Sequence, residues 1–420
     1  MNKDILKEIL LEQNESFAGK QHLIERDLVD KSYLTSQQVI IISGVRRCGK
    51  SSLLFLIKQE MKLNEKEYCY FNFDDERIIP DTSLLEDIFN LHIEIYGKEP
   101  VLFFDEIQNI PKWEKFINRK HENGIKIFVT GSNAKLLSSE ISTSLTGRNK
   151  VIELFPFSFA EYLRYRKVEV NLNRLTAKQR ALFKKDFNQF LHFGGFPLVI
   201  KEGDLELING YFQDILYRDI IARYHISQVN EIKEIGIYFA SNAGKLFSYS
   251  TLQSITGIKS LSSIKDYLGY YEQSYLFFYL KKFDFSIKKQ IMNPKKVYSI
   301  DSAFINRLGF AFSQNKGRVL ENIIFIELLR RGKEVYYFSG KNECDFIIKQ
   351  GIVIVEAIQV VYEITEQNIE RETKGLLEAM SVYKLSKGLI ITQLTDTNLV
   401  FSKYQNITVI NAWQWLLIKN

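Results

Sequence analysis

Residues 39–54, Val-Ile-Ile-Ile-Ser-Gly-Val-Arg-Arg-Cys-Gly-Lys-Ser-Ser-Leu-Leu, narrow the folds open to this chain more than any other stretch. An apolar β-branched run ends at Ser43, a turn with two glycines follows, and an apolar helical pattern begins at Ser51. That order predicts a buried strand feeding a helix that packs on a sheet. Residues 44–51 also fit G-x-x-x-x-G-K-[ST], the phosphate-binding loop. Gly44 and Gly49 let the backbone curl. Successive N–H groups across Gly44, Val45, Arg46, Arg47, Cys48, Gly49, Lys50, Ser51 and Ser52 then point inward at an anion. The positive end of the following helix adds to the same spot. Lys50 is placed to reach β- and γ-phosphates, and the Ser51 hydroxyl to meet Mg²⁺.

The chain has 420 residues, enough for two to four domains. With 45% hydrophobic residues it can fill large cores, which excludes a disordered chain. Cys48, Cys69 and Cys344 have no metal-binding spacing and are too few for a disulfide framework, which favours a reducing, cytoplasmic setting. The start, Met1 to Glu8, is amphipathic and charged, unlike a secretory signal. No apolar run is long enough to span a bilayer, so no membrane partner is expected. A net charge of +6 permits a nucleic-acid partner without demanding one.

In order, residues 1–30 read as helix, with apolar positions at Ile5, Leu6, Ile9, Leu10, Leu23, Leu28 and Val29. A helix is predicted over 51–62 and a strand over 68–73. Residues 100–106, Pro-Val-Leu-Phe-Phe-Asp-Glu, read as a buried strand ending in two acids, a Walker B pattern. Asp105 is assigned to the Mg²⁺ hydration shell and Glu106 to polarising the attacking water. A fourth strand, 125–133, has a polar tip where Ser132 or Asn133 either senses the γ-phosphate or only makes a turn or helix cap. Leu145-Thr146-Gly147-Arg148 then offers an arginine that could meet phosphoryl charge in its own chain or a neighbour's, against the plainer reading of a surface arginine.

These motifs, with Asp105-Glu106-Ile107-Gln108, Thr130-Gly131-Ser132, Pro156–Leu163 and Gly194-Gly195-Phe196-Pro197, resemble the AAA+-type ATPase domain of a large prokaryotic family. Members of that family carry a winged helix and a restriction-nuclease-like region downstream. The resemblance implies an α/β fold: a parallel P-loop NTPase sheet over 1–155, a helical lid over 156–227, a winged helix-turn-helix over 228–305, and a nuclease-like α/β domain over 306–420. ATP and Mg²⁺ are the implied cofactors.

Residues 158–225 are helical in pattern, and Arg218 or Arg223 either senses phosphate or lies on a solvated face. Helices over 230–243, 250–255 and 260–271, then strands over 275–283 and 296–300, read as helix, glycine turn, helix and β-hairpin. Lysines 281, 282, 288, 289, 295 and 296 would make the wing basic enough to lie along a double-stranded DNA backbone, with Lys259 and Lys265 near the major groove. A protein partner fits such a module equally well.

The order helix, three strands, helix, strand, strand, helix over 317–420 resembles the PD-(D/E)XK nuclease core. That resemblance puts a helix acid at Glu321 and a strand-opening acid at Asp345. The third element reads Glu356-Ala357-Ile358 or Gln359-Val360-Val361, and neither register supplies the lysine. Without that cation a metal could still meet Glu321, Asp345 and Gln359, but cleavage would be impaired. The leading reading is therefore an ATPase whose hydrolysis drives or gates a conformational change. A slow nucleotide-gated binding switch and an ATP-dependent nuclease stay as alternatives, and an oligomer stays open.

Overall fold

Five strands of five residues each build the sheet that carries the glycine turn. In the computed structural model, residues 2–27, 31–133, 147–172, 175–309, 316–394 and 405–418 are described. They form two compact units. One holds the chain up to Phe155 with Gln273–Tyr275, and the other holds the rest from Pro156.

The first unit opens with helices α1 (Lys3–Ala18) and α2 (Lys31–Thr35). Strand β1 (Val39–Ser43), helix α3 (Lys50–Glu60), β2 (Tyr68–Asn72), α4 (Leu84–Tyr96), β3 (Val101–Asp105), α5 (Trp113–Glu122), β4 (Ile127–Gly131) and β5 (Asn149–Glu153) follow. The strands are all parallel, in the order β2-β3-β4-β1-β5. Such a sheet is covered on both faces, which explains why β1, β2, β3 and β4 read as unbroken apolar runs rather than alternating ones. Every strand ends at the same edge, and Ser43, Asp105 and Gly131 deliver their successors there.

Helix α1 differs from the expected long helix over 1–30. It stops at Ala18, where the Gly19 N–H closes on the Glu15 carbonyl. His22 takes a left-handed φ of 57°. Residues 20–27 run without helix, and Leu28 and Val29 lie outside the described residues. Helix α1 instead closes the free edge of β2 with side-chain amides. Asn14 accepts from the Tyr70 N–H at 3.1 Å and donates to the Tyr70 carbonyl at 3.1 Å. Gln13 does the same at Asn72, at 2.7 and 3.2 Å. An edge strand needs such cover, because its unpaired amides otherwise template pairing with another chain.

In the second unit, α6 (Phe159–Tyr165) and α7 (Ala177–Phe193) each start with a capping box, Ser158 with Glu161 and Thr176 with Gln179. Next come α8 (Pro197–Glu202) and α9 (Leu207–Asp214), and the chain runs on through a π-helical stretch, Ile215–Ile221. Then come α10 (Val229–Ser241), β6 (Leu246–Phe247), α11 (Tyr249–Thr256), α12 (Leu261–Gln273), β7 (Phe277–Lys281), α13 (Ile287–Met292) and β8 (Lys295–Ser299). Strands β6, β8 and β7 form a small antiparallel sheet in that order.

The expected plain hairpin is thus interrupted by α13, and the expected basic wing loses one member. Lys296 is 2% exposed and points into the protein. The remainder is α14 (Ser302–Leu308), α15 (Lys316–Arg330), β9 (Glu334–Ser339), β10 (Glu343–Gln350), β11 (Val353–Glu363), α16 (Ile369–Tyr383), β12 (Gly388–Leu394), β13 (Ile407–Asn411) and α17 (Ala412–Leu417). Its five-stranded sheet runs β13-β12-β11-β10-β9, antiparallel across β9-β10-β11 and parallel across β11-β12-β13. Helix α16 covers one face through Leu376, Ala379 and Met380. Helix α15 packs against β11, and its Phe325 stacks on Phe346 of β10. No helix among the described residues is long and apolar enough to cross a membrane.

If side-chain amides carry the edge of β2, Asn14→Ala leaves the Tyr70 backbone groups without those partners. We expect a loss of roughly 1–3 kcal/mol in urea unfolding. Glu8→Ala, on the exposed side of the same helix, serves as the unaffected control.

Candidate functional site

Strand β1 ends in Ser43 and the chain turns at Gly44 because nothing larger fits. A Cβ there would stand 2.2 Å from the Leu154 carbonyl oxygen and 3.2 Å from the Cys48 sulfur. Two residues of the curl are left-handed, Arg47 at φ 68° and Gly49 at φ 103°, and Gly49 opens α3. The curl is braced from outside by Arg26, which is 4% exposed. Its guanidinium donates to the Cys48 carbonyl at 3.1 Å and to the Phe155 carbonyl at 2.7 Å.

Inside the curl lies Lys50, 4% exposed. Its ammonium donates to the carbonyls of Gly44 at 3.2 Å and Val45 at 3.3 Å, and pairs with Glu106 Oε1 at 3.3 Å. Parallel register brings Glu106 there. Residues 104 and 129 pair across β3 and β4, so the residues just beyond, Asp105 and Thr130, lie side by side at the strand ends. Glu106 takes a left-handed φ of 54°. For a residue with a Cβ that conformation costs about 1–2 kcal/mol. Its N–H is held by Thr130 Oγ1 at 3.0 Å, and its carboxylate also accepts from Gln108 Nε2.

Asp105 is 1% exposed and accepts from the Tyr70 hydroxyl at 3.0 Å and from the Thr130 and Ser51 hydroxyls. Burial, then the charge of Glu106, pushes its carboxyl above the ordinary range. Burial would lift Glu106 as well, but the Lys50 and Arg46 cations bring it below its ordinary value. Two adjacent acids are thus driven apart in proton affinity by which one meets Lys50. Asp105 and the Ser51 hydroxyl form an all-oxygen pair suited to a hard cation. Among the described residues no group of three or more His, Cys, Asp or Glu side chains is placed to hold a metal ion.

The other candidates fall in three places. Ser132 and Asn133 are buried at the end of β4, and the Ser43 hydroxyl meets the Asn133 carbonyl at 3.5 Å. Arg46 is held by Asp74 at 3.2 Å. Arg148 lies elsewhere. Its carbonyl accepts from the Val39 N–H, at the start of β1, and its guanidinium is taken by Asn118 and Glu122. Four strand residues separate that edge from the curl, ~13 Å at strand rise. An in-chain role for Arg148 at the phosphates is therefore corrected: parallel pairing puts it at the wrong end of the sheet. Leu145 and Thr146 of the same motif lie outside the described residues.

In the second unit Glu321, on α15, and Asp345, on β10, do come together, and Lys296 of β8 joins them. Its ammonium is 3.1 Å from Glu321 Oε1, 3.1 Å from Asp345 Oδ1 and 2.7 Å from Glu343 Oε1. The Tyr298 hydroxyl donates to the same Glu321 oxygen at 2.6 Å. Asp345 Oδ2 accepts from the Val360 N–H at 3.0 Å. Gln359 contributes differently, its carbonyl oxygen accepting from the Asp345 backbone N–H at 3.4 Å. Burial, then the Asp345 charge, lifts Glu321 to about 7. Asn322 fastens α15 to the end of β8, bonding both the N–H and the carbonyl of Ser299 at 2.8 and 2.9 Å.

Sequence reasoning gave no role to Arg26 or Tyr70, quoted Thr130 only as part of a motif, and put Lys296 on the basic wing. Thr130 carried a usable signal, a polar residue one place before the end of β4, whereas Tyr70 sits in the middle of β2. Arg26 and Lys296 carried none, because both act across long separations in the chain.

The strand order, the glycine curl and the paired acids define a P-loop nucleoside-triphosphatase domain of the AAA type. A family model for an AAA domain matches residues 36–163, and one for a domain of unknown function, DUF8612, matches 184–315. The uncharacterized protein MJ1544 of Methanocaldococcus jannaschii is 36% identical over 99% of this chain and 96% of its own length. An uncharacterized protein of Haemophilus influenzae is 30% identical over 90% of this chain and 94% of its own. The chain belongs to the family these two proteins represent, and its first unit is a nucleotide-binding domain of the AAA class. The Walker-type ATPase paby2304 of Pyrococcus abyssi aligns at 14% identity with a TM-score of 0.40, over 70% of this chain and 99% of that one.

Gly44→Ala must push the curl away from Leu154. An expected loss of about 1–3 kcal/mol in denaturant unfolding, together with loss of nucleotide binding by fluorescence titration, would mark a site shaped by that contact.

Proposed function

We propose that this chain hydrolyses MgATP in the curl and that turnover gates a conformational change in the second unit. The observation that carries the reading is the buried ammonium of Lys50, which meets one carboxylate and two carbonyls. A triphosphate entering the curl offers that ammonium phosphate oxygens, and the N–H groups of Gly44–Ser52 cradle the β-phosphate. Ser51 and Asp105 would hold the Mg²⁺, which supplies charge neutralisation on the phosphates.

Once Lys50 turns to phosphate, Glu106 is released from it. It then holds a water in line with the γ-phosphate and takes up its proton. Gln108 supports this role. Its side-chain oxygen is buried without a hydrogen-bond partner among the described residues, one side chain away from Glu106, so a water there would have a second acceptor. Asn133, buried at the neighbouring strand end, serves as the γ-phosphate sensor. Arg148 is available only to a neighbouring molecule.

The second unit is read as a lid over 156–227, a winged helix over 228–305 and a nuclease-like domain over 306–420. The lid reading is supported where two motifs of the sequence resemblance meet. The Phe157 N–H donates to the Gly195 carbonyl at 2.7 Å, and Asp301 accepts from the Gly195 N–H at 2.7 Å. Exposed Lys281, Lys288 and Lys289 around α13 are the groups with which double-stranded DNA would be met. One observation favours the slower alternative, a nucleotide-gated switch: Glu106 is engaged by both Lys50 and Gln108, so its release from Lys50 would have to precede each turnover.

Lys50→Ala is expected to abolish ATP binding in equilibrium titration, and unchanged affinity would remove the proposal. Glu106→Gln should keep ATP affinity at or above the unmodified level, since it frees Lys50, while single-turnover hydrolysis falls at least 10-fold, the low end for losing a general base. A normal rate would take the water away from Glu106.

A further inference from the structure

The nuclease-like reading of residues 306–420 implies a divalent cation among Glu321, Asp345 and Gln359. The residues present do not fit one. Each of the three N–H bonds of Lys296 can point to its own carboxylate: Glu321 Oε1 and Asp345 Oδ1 at 3.1 Å and Glu343 Oε1 at 2.7 Å. A divalent ion would have to sit 2.0–2.6 Å from those same oxygens. It cannot share them with an ammonium already at contact. The oxygen that a metal would most want from Gln359 is turned to a backbone N–H, and Asp345 Oδ2 is taken by Val360. The ammonium itself is covered: the Lys296 side chain is 3% exposed, with Glu321 and Asp345 at 13% and 10%, while Glu343 closes the cluster from the exposed side at 39%.

We propose that the Lys296 ammonium takes the place of the divalent ion in this acidic cluster, so that a nuclease-like core is held closed without metal and ties β8 to α15 and β10. The chemistry follows from charge and geometry. An ammonium gives three directional hydrogen bonds and one positive charge, enough to gather three carboxylates when a tyrosine hydroxyl and an amide relieve the rest. It offers no open coordination position and cannot generate a metal-bound hydroxide, so the cluster holds elements together and performs no phosphodiester cleavage.

This lysine belongs to neither strand register in which the nuclease motif would place one. It arrives from β8, at the strand that pairs Lys296 with Leu246 and Leu280. The segment between the two long strands of the small sheet, with α13 and its lysines, is therefore anchored at its base by the same residue. Any displacement of β8 would uncover the acids.

The proposal rests on the nuclease-like reading and is tested without nucleotide. The full-length protein carries Ser51→Ala in every arm, which removes the hydroxyl from the first unit's cation site. With Lys296 present, Mn²⁺ titration followed by electron paramagnetic resonance should give no site that Glu321→Gln removes, and Mn²⁺ should leave Tm unchanged. Lys296→Met should lower Tm by several degrees. It should also acquire a Mn²⁺ site that restores Tm and vanishes on adding Glu321→Gln. Mn²⁺ bound by the protein with Lys296 intact, and lost in Glu321→Gln, overturns the proposal. So does plasmid cleavage with the same dependence. If Lys296→Met loses stability but gains no Mn²⁺ site, the nuclease-like reading itself has failed. Should Lys296→Met not fold, the Lys296-intact arms still decide the matter.

Discussion

A charge can be buried at the end of a β-strand only if its partner is delivered there too, and the first unit is organised around that condition. Lys50, Asp105 and Glu106 together would be ruinous to desolvate singly, and removing one partner of such a buried pair costs about 3–5 kcal/mol. They survive because parallel pairing ends three strands at one edge, where Thr130, Tyr70 and Ser51 offer hydroxyls to Asp105 and the carbonyls of the curl hold Lys50. The apolar sheet pays for this edge. Its strands are buried on both faces so that their ends can be polar.

Much of this was legible in the sequence, for a definable reason. The curl, the helix after it and the two acids are fixed by near neighbours in the chain: a glycine needed beside Leu154, a left-handed Gly49, an acid one step past a strand. The C-terminal order of helices and strands was readable in the same way, from period and breakers. What was not legible depends on register between distant segments. Arg148 looks like a catalytic arginine in one dimension, but β5 is parallel to β1, and its first residues therefore stand at the edge away from the curl. Arg26 looks like one charge in an amphipathic helix, yet the chain leaves helix at Gly19 and carries it to the backbone of Cys48 and Phe155. Lys296 looks like the last of six lysines on a solvated wing and is in fact the most buried cation of the second unit's acidic cluster.

The two clusters use the same elements, a lysine ammonium among carboxylates, and differ in what could replace those carboxylates. At Lys50 one carboxylate, Glu106, shares the ammonium with two carbonyl oxygens. Carbonyls carry no net charge, so a triphosphate arriving in the curl displaces neutral oxygens as well as Glu106 and brings more charge than it displaces. At Lys296 three carboxylates already surround the ammonium, Glu321 from α15 and Glu343 and Asp345 from β10. An incoming anion would meet net negative charge, and an incoming cation would have to evict the lysine. Neutral carbonyls beside a carboxylate thus mark a buried ammonium that can exchange partners, and so report on a ligand, whereas hydrogen bonds to three carboxylates mark one that holds a structure together.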